Sequence, residues 1–346
     1  MLEHLRLDIK RIAIFRALKL GDMLCAVPAL RAIRKAFPDA QITLISLTSA
    51  ENLAKRYSHY INEFIPFPGF PGMPETQSDP IEVIEFISDL QKRDLDLLIQ
   101  MHGSGELSNP LVSLFNAKET IGVYRQGQYC PSPDSYSLYN DNSNEVNRCL
   151  SVLSPLGIDI EDVFLEFPLT LHDSEILHSI LGAQMDLTRP YFCIHPGAST
   201  ESKRWSPHAF ARIADYISER GYEVVFTGNA LEGELVSYIQ KLMQFDSFNT
   251  ASLNLPLGPL GALLKGSLGL ICNDTGVSHL GAALGVPSIV IFSETSPDRW
   301  APLNKSLHHY YIRPEVEEII AEIDSFFMNP IFSELKMLSA SHWGAL

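Results

Sequence analysis

Short apolar runs alternate with longer stretches of helical periodicity in both halves of this chain, and that alternation confines it to an α/β architecture built on parallel sheets. In the first half, residues 11–15 (RIAIF), 41–46 (QITLIS) and 95–101 (LDLLIQM) read as strands, with 119–124 (ETIGVY) as a fourth. Between the first two, Leu24, Val27, Leu30, Ile33 and Phe37 recur at helical spacing and Pro38-Asp39 ends the pattern, which makes a βαβ unit. The second half restarts with a strand at 191–199, a helix over 207–220, a strand at 222–228, a helix from about 231, and strands at 268–274 and 287–293. With 346 residues and 46% hydrophobic content there is material for two cores, so two doubly wound domains are expected. Their boundary is expected within 165–190, giving a first domain over 1–175, a second over 186–325, and a segment 326–346 that packs back on the first. Two stretches look irregular: the Pro- and Gly-rich 64–80, read as a surface loop, and 127–145, read as flexible.

The net charge of −15 argues against a general nucleic-acid binder, which needs clustered Lys and Arg to neutralise phosphates. The local exception is the beginning of the chain, where Arg6, Lys10, Arg11, Arg16, Lys19, Arg31, Arg34 and Lys35 outnumber Glu3, Asp8 and Asp22. That excess suits either an acidic acceptor or anionic membrane surface, or simply a solvated helix face. Five dispersed cysteines without a CxxC pair suggest neither a disulfide framework nor a zinc site and fit a reducing cytoplasm. No apolar stretch reads as a signal peptide or a membrane span, so any membrane contact is expected to be peripheral.

Open sheets of this kind present ligands at the carboxyl ends of their strands, and the polar residues of interest fall there. Asp22 follows Gly21 just before the first helix, where it is either a helix cap or a catalytic acid. In "GASTESKRW" after the strand at 191, Lys203 is either a surface lysine or a compact charge for a diphosphate. In "NDTGVSHLGAALGVP" (273–287), Asp274 or Thr275 caps the helix, or its free N–H groups hold an anion; small residues allow that helix to lie close on its sheet. Glu232 is a first-turn dipole partner or a ligand contact. His102, in "MHGS", lines the ligand edge or sits in the core. GxGxxG is absent from both halves, which removes the signature of a dinucleotide-dependent dehydrogenase.

Taken together, "LGDMLCAVPALRAIRKAFPDAQITLI", "HPGASTESKRWSPHAFARIADYISERGYEVVFTG", "NDTGVSHLGAALGVPSIVIF" and "TSPDRWAP" make the chain resemble glycosyltransferase family 9, the ADP-heptose:lipopolysaccharide heptosyltransferases and their relatives. The resemblance implies a GT-B architecture of two Rossmann-like domains facing across a cleft, and an inverting, metal-independent transfer with no cofactor. The nucleotide-sugar, ADP-heptose by this resemblance, is a substrate held by the C-terminal domain. The glycan or lipid-linked glycan acceptor goes to the N-terminal domain, with the enzyme cytoplasmic and at most peripheral on the inner membrane. By motif, Asp22 corresponds to the family's proposed general base, Ser199 and Lys203 to diphosphate contacts, and Glu232 to the ribose contact. Asp274, Thr275, Gly276 and His279 correspond to sugar and phosphate contacts. Arg16, Lys19 and His102 become candidates for the acceptor. One departure stands out: Ser293 and Glu294 occupy positions before Thr295 where the family usually shows Gly and a small residue or proline, so a negative charge lies near the expected donor phosphates. The alternatives are another nucleotide-sugar, a protein or metabolite acceptor, or a noncatalytic nucleotide-sugar binder.

Overall fold

The computed structural model describes residues 9–182 and 184–327. The chain divides between Leu165 and Glu166 into two units. The first unit runs β1 (Arg11–Phe15), α1 (Leu20–Cys25), α2 (Val27–Ala36), β2 (Gln41–Ser46), α3 (Glu51–Arg56), β3 (Glu63–Pro66), α4 (Pro80–Gln91), β4 (Leu97–Gln100), α5 (Ser108–Val112), β5 (Glu119–Tyr124), β6 (Tyr136–Leu138) and α6 (Glu145–Ser151). Its six strands are all parallel, in the order β3-β2-β1-β4-β5-β6. The central strands are apolar on both faces, with Ile12, Ala13, Ile14 and Phe15 at 0–1% exposure, as expected of a parallel sheet covered on both sides.

The second unit runs α7 (Leu171–Leu181), β7 (Tyr191–His195), α8 (Pro207–Glu219), β8 (Glu223–Phe226), α9 (Gly233–Leu242), β9 (Phe248–Asn249), α10 (Leu257–Gly266), β10 (Leu270–Asn273), α11 (Gly276–Ala283), β11 (Ser288–Phe292), α12 (Pro297–Trp300), β12 (His308–Ile312) and α13 (Val316–Glu322). Its sheet is again six-stranded and parallel, ordered β12-β11-β10-β7-β8-β9. Both units are therefore Rossmann-like. In each the strand order reverses once, between β1 and β4 in the first and between β7 and β10 in the second. Such a switch point opens a crevice outside the carboxyl ends of the two strands, and ligands bind there in open α/β sheets.

Three local expectations need correction. The helical pattern after β1 is not one helix but two, because Pro28 in the first turn of α2 has no N–H with which to bond back to Leu24. The stretch 64–80 is not wholly loop: Glu63–Pro66 pairs with β2, and Pro66 is tolerated because the strand is an edge and ends there. Within 127–145, Tyr136–Leu138 pairs with β5 as the opposite edge, and Asn144 caps α6 by accepting from the Val146 N–H. The strands β9 and β12, which the periodicity did not reveal, complete the second sheet. The expected return of 326–346 to the first domain falls on residues that, from 328, lie outside the described chain.

Candidate functional site

The first site is built at the switch point between β1 and β4. Asp22 is the third residue of α1, whose N-cap is Lys19, and no side chain caps that helix, so the carboxylate is not its N-cap. Arg16, leaving β1, turns under it: its Nε donates to the Asp22 carbonyl oxygen at 3.0 Å and its Nη2 lies 3.9 Å from Asp22 Oδ1. The other guanidinium edges are spent inside the unit. Nη1 donates to the Met101 carbonyl at the end of β4 at 2.5 Å, and Nη2 donates to Glu145 Oε1 at 3.0 Å. Glu145, the first residue of α6, also accepts from Arg148 Nη1 at 2.9 Å through Oε2. Burial opposes the charge on Arg16, yet Cys149, Glu145 and Asp22 around it raise its pKa above the ordinary arginine value.

Arg16 is thus not an exposed loop charge: at 2% exposure its guanidinium is scaffold beneath Asp22. Lys19 alone of the two expected acceptor cations is exposed. His102 is buried too, stacked on Phe15 at 5.2 Å between centroids. Its Nδ1 accepts from the Ala17 N–H at 3.2 Å, which leaves the proton of the neutral ring on Nε2, 3.8 Å from Glu75 Oε1. Burial, and then the Arg16 charge, lowers its pKa to about 4, so it is neutral at pH 7. The wider basic cluster is largely neutralised within the unit. Arg31 pairs with Asp162, Lys35 with Glu161, and Arg34 donates to the carbonyls of Ala40 and Tyr60 at 2.8 and 3.0 Å. The face of α2 is therefore not a free anion-binding surface.

The second site is built at the switch point between β7 and β10. Asn273, the last residue of β10 and fully buried, reaches across it: Nδ2 donates to the Pro196 and Gly197 carbonyls at 2.8 and 3.4 Å, and Oδ1 accepts from the Trp205 N–H at 3.0 Å. One side chain thereby clasps both ends of the loop that carries exposed Ser199 and half-exposed Lys203. Glu232 is buried and makes the capping box of its turn, accepting from the Asn229 N–H at 2.9 Å. Its carboxylate also lies against that loop, since a Cβ on Gly197 would meet Glu232 Oε1 at 1.9 Å. His195, at the end of β7, bonds Thr227 Oγ1 at 3.0 Å and stands 3.9 Å from Glu232 Oε2; burial lowers its pKa, partly opposed by Glu232.

At the start of α11 neither Asp274 nor Thr275 caps the helix. Asp274 is buried and accepts instead from the Thr295 hydroxyl, and Thr275, the N-cap residue, makes no side-chain bond to the first turn. The N–H groups of Gly276 and Val277 therefore remain available to an anion. Gly281 lets α11 lie close on the sheet, as a Cβ there would come 2.9 Å from Leu270 Cδ2. His279 is buried, edge-on to Trp300 at 6.1 Å. Glu294, on the neighbouring loop, accepts from Ser202 Oγ at 2.5 Å, which sets its charge beside the residue preceding Lys203. A hollow of about 540 Å³ is lined in part by Glu234, Ser237, Tyr238 and Lys241 of α9 and by Ser252; Glu232 is not among its lining residues. Among the described residues no group of three or more His, Cys, Asp and Glu comes together as a metal-ligand set, and no helix is long and apolar enough to cross a membrane.

The first unit thus places Asp22, Arg16 and His102 at its switch point, and the second places Ser199 and Lys203 on the loop after β7, Glu232 against that loop, and Asp274, Thr275, Gly276 and His279 at the start of α11. Sequence reasoning missed Glu145 and Glu75, both inside stretches read as irregular, and His195 and Asn273, which read as strand ends. The capability of an adjoining residue was the only available signal: Asn273 precedes Asp274 in a polar turn after an apolar run.

Comparison with known proteins bears on the family and the fold. Residues 83–318 match the model of glycosyltransferase family 9 (heptosyltransferase). The chain is 24% identical over 302 residues to lipopolysaccharide heptosyltransferase 3 of Escherichia coli, covering 84% of this chain and 86% of that one. It is 25% identical to lipopolysaccharide heptosyltransferase 2 of Salmonella typhimurium, covering 82% and 83%. Among solved structures, the E. coli ADP-heptose lps heptosyltransferase II superposes with a TM-score of 0.74 at 18% identity, covering 92% of this chain and 99% of that one. The glycosyl transferase family 9 protein of Veillonella parvula superposes with 0.72 at 23% identity, covering 92% and 90%. These likenesses give the GT-B fold, and with a family match that spans most of the chain, the protein is a glycosyltransferase belonging to family 9, the heptosyltransferases.

Proposed function

We propose that the protein transfers a heptose from ADP-heptose to a lipopolysaccharide core or a related lipid-linked glycan, with inversion at the anomeric carbon and without a metal ion. The observation that carries this reading is Asp22: a carboxylate that is not the N-cap of its helix, at a switch point, with side-chain exposure of 24% and a buried guanidinium behind it. A general base must reach the acceptor hydroxyl and be unprotonated at rest. In the step proposed, Asp22 takes the hydroxyl proton while the hydroxyl oxygen attacks the anomeric carbon from the face opposite ADP. The bond from that carbon to the phosphate oxygen breaks, and its electron pair leaves with ADP. The developing charge is met by Lys203 and the open N–H groups of α11, with Ser199 as a further diphosphate contact and Thr275, Gly276 and His279 beside the sugar and phosphates. Glu232, buried against the loop after β7, is the proposed ribose contact. Lys19, exposed one residue before α1, is the proposed contact for an acidic acceptor group, with neutral His102 supporting the edge.

The described cysteines are thiols, which suits a reducing compartment, and the place of action proposed is the cytoplasmic face of the inner membrane. The test is Asp22→Asn, assayed by ADP release from ADP-heptose with lipopolysaccharide from a heptose-deficient strain as acceptor. Turnover is expected to fall by about 10²-fold or more while ADP affinity by calorimetry stays within about twofold. Retained turnover removes Asp22 from the mechanism. Titration with ADP, UDP and GDP reads the donor base, and a preference for UDP or GDP replaces ADP-heptose as the substrate.

A further inference from the structure

We propose that Glu145 is a positioning residue for the transfer, and that its negative charge, shared between Arg16 and Arg148, keeps the Arg16–Asp22 ion pair from tightening into a direct hydrogen bond. The inference rests on the reading of Asp22 as the base. Four charged side chains form one cluster: Arg16, Arg148, Glu145 and Asp22. Three of them are almost fully enclosed, at 3%, 5% and 6% side-chain exposure, and Asp22 is the member that reaches solvent, at 24%. Two cations face two anions, so the enclosed part of the cluster carries one net positive charge and an ionised Asp22 balances it.

The distances show how that balance is divided. Arg16 Nη2 is 3.0 Å from Glu145 Oε1 but 3.9 Å from Asp22 Oδ1, so the guanidinium bonds the glutamate and stands off the aspartate. Glu145 is itself held in place. It opens α6, where an acid favours the helix dipole, and Arg148 one turn on bonds its other oxygen at 2.9 Å. Arg148 is in turn fixed over the Tyr139 ring, 4.4 Å from its centroid, and donates to the Asp141 and Ser143 carbonyls. The strand β6 and the turn before α6 thus serve to aim one carboxylate at Arg16. Among the described residues, the other titratable groups about Arg16 and Asp22 include the Cys25 thiol on α1, the Cys149 thiol on α6 and His102 after β4; burial raises both thiols, Cys149 to about 12, and burial with the Arg16 charge lowers His102 to about 4, so all three are neutral during turnover.

With Glu145 neutralised, Arg16 has Asp22 as the nearest anion and is free to close the 3.9 Å gap to a direct bond. The base would then be poorer and less available to the acceptor hydroxyl, with the donor site on the other unit untouched. Removing Arg148 instead leaves Glu145 wholly to Arg16 and lowers the positive charge near the base, an effect of opposite sign.

The experiment compares Glu145→Gln, which keeps the shape and removes the charge, with Glu145→Asp, which keeps the charge and loses a methylene. ADP release is measured across pH with ADP-heptose and heptose-deficient lipopolysaccharide, beside Asp22→Asn. If the charge acts as proposed, the Gln variant loses on the order of tenfold or more in kcat with the donor KM unchanged, its acid limb moves to lower pH, and the Asp variant retains more activity than the Gln variant. A role in shape alone reverses that order and leaves the limb in place, which overturns the proposal. Should the Gln variant fail to fold, Arg148→Met takes its place: its acid limb is expected to move to higher pH, and an unmoved limb is equally fatal. If Asp22→Asn remains active, it is the assignment of the base that fails, a different result from an inactive Asp22→Asn beside an unaffected Glu145→Gln.

Discussion

Asn273→Asp tests how the second unit holds its donor loop, because it exchanges one NH2 for one oxygen and changes almost no volume. The Asn273 amide donates to Pro196 O at 2.8 Å and Gly197 O at 3.4 Å, and its oxygen accepts from Trp205 N–H at 3.0 Å. An ionised carboxyl keeps the bond from Trp205 but turns a lone pair toward two carbonyl oxygens at a site with no solvent exposure. Loss of a buried bond that leaves its partner unsatisfied costs about 1–3 kcal/mol, and the repulsion adds to it, so about 2–3 kcal/mol is expected at pH 8. The carboxyl can escape by taking a proton and donating it to Pro196 O, which raises its folded-state pKa above an unfolded value of about 3.9. The destabilisation is therefore absent below that unfolded value, where both states are protonated, and grows as pH rises toward the folded-state pKa. Thermal unfolding is expected to show a midpoint about 4–12 °C below the parent at pH 8, with the gap closing by pH 4. ADP titration at pH 8 is expected to show weaker binding, since the loop bearing Ser199 and Lys203 has lost the clasp at its first end. Equal midpoints and equal ADP affinity at pH 8 would refute the reasoning.

Gly197→Ala is expected to be severely damaging, because its methyl group would sit 1.9 Å from Glu232 Oε1; a calorimetric ADP affinity within twofold of the parent contradicts this. Lys203→Met is expected to weaken ADP binding and flatten its dependence on salt, read by titration at two ionic strengths; an unchanged salt dependence removes Lys203 from the diphosphate site. Glu294→Ala removes a carboxylate that accepts from Ser202, next to Lys203, and is expected to tighten ADP binding several-fold, whereas weaker binding would make Glu294 a support of the loop. His102 and His308 both have pKa values lowered to about 4 by burial, His102 further by Arg16 and His308 by its neighbours His309 and His279. Because the unfolded chain takes up these protons near 6.5, stability is fully present above that pH and is lost as pH falls from about 6.5 to 4, by on the order of 3 kcal/mol per group. Urea midpoints that stay level from pH 7 to pH 4 contradict it.

What the sequence made legible is what local chemistry decides. Apolar runs such as Ile12–Phe15 must be buried on both faces, and they formed the central parallel strands. The polar turns at Gly21-Asp22 and Asn273-Asp274 had to follow those strands, so the places of both candidate sites in the fold could be read directly. The edge strands were not legible because β3, β6 and β9 are short and their residues gain a strand's hydrogen bonds only when a neighbour is already in place. Residue states were harder still. Arg16 reads as a charged loop residue because nothing near it in sequence shows Glu145, 129 positions away, that accepts its charge. Likewise the basic side chains of α2 read as a cationic surface until Asp162 and Glu161 are seen against Arg31 and Lys35.

The two units solve the same positioning problem with different chemistry, and the difference follows from the charge each must serve. In both, a buried side chain at the exit of one central strand bonds a carbonyl at the exit of the strand across the switch point: Arg16 to Met101, and Asn273 to Pro196. Both fix the crevice in which a ligand group sits. In the first unit the tie is a cation because the group to be held is a carboxylate, and a guanidinium can stabilise it while a second acid limits how tightly. In the second unit the tie is a neutral amide. On the proposed reading a diphosphate is attracted there by Lys203 and the α11 N–H groups, and a buried carboxylate in place of Asn273 would subtract from that field, while a buried cation would carry a desolvation cost. Exchange of the neutral tie for a charged one should therefore injure donor binding more than it injures folding at the pH where the charge is present. That ordering separates a residue that merely stiffens the sheet from one that shapes the field its ligand meets.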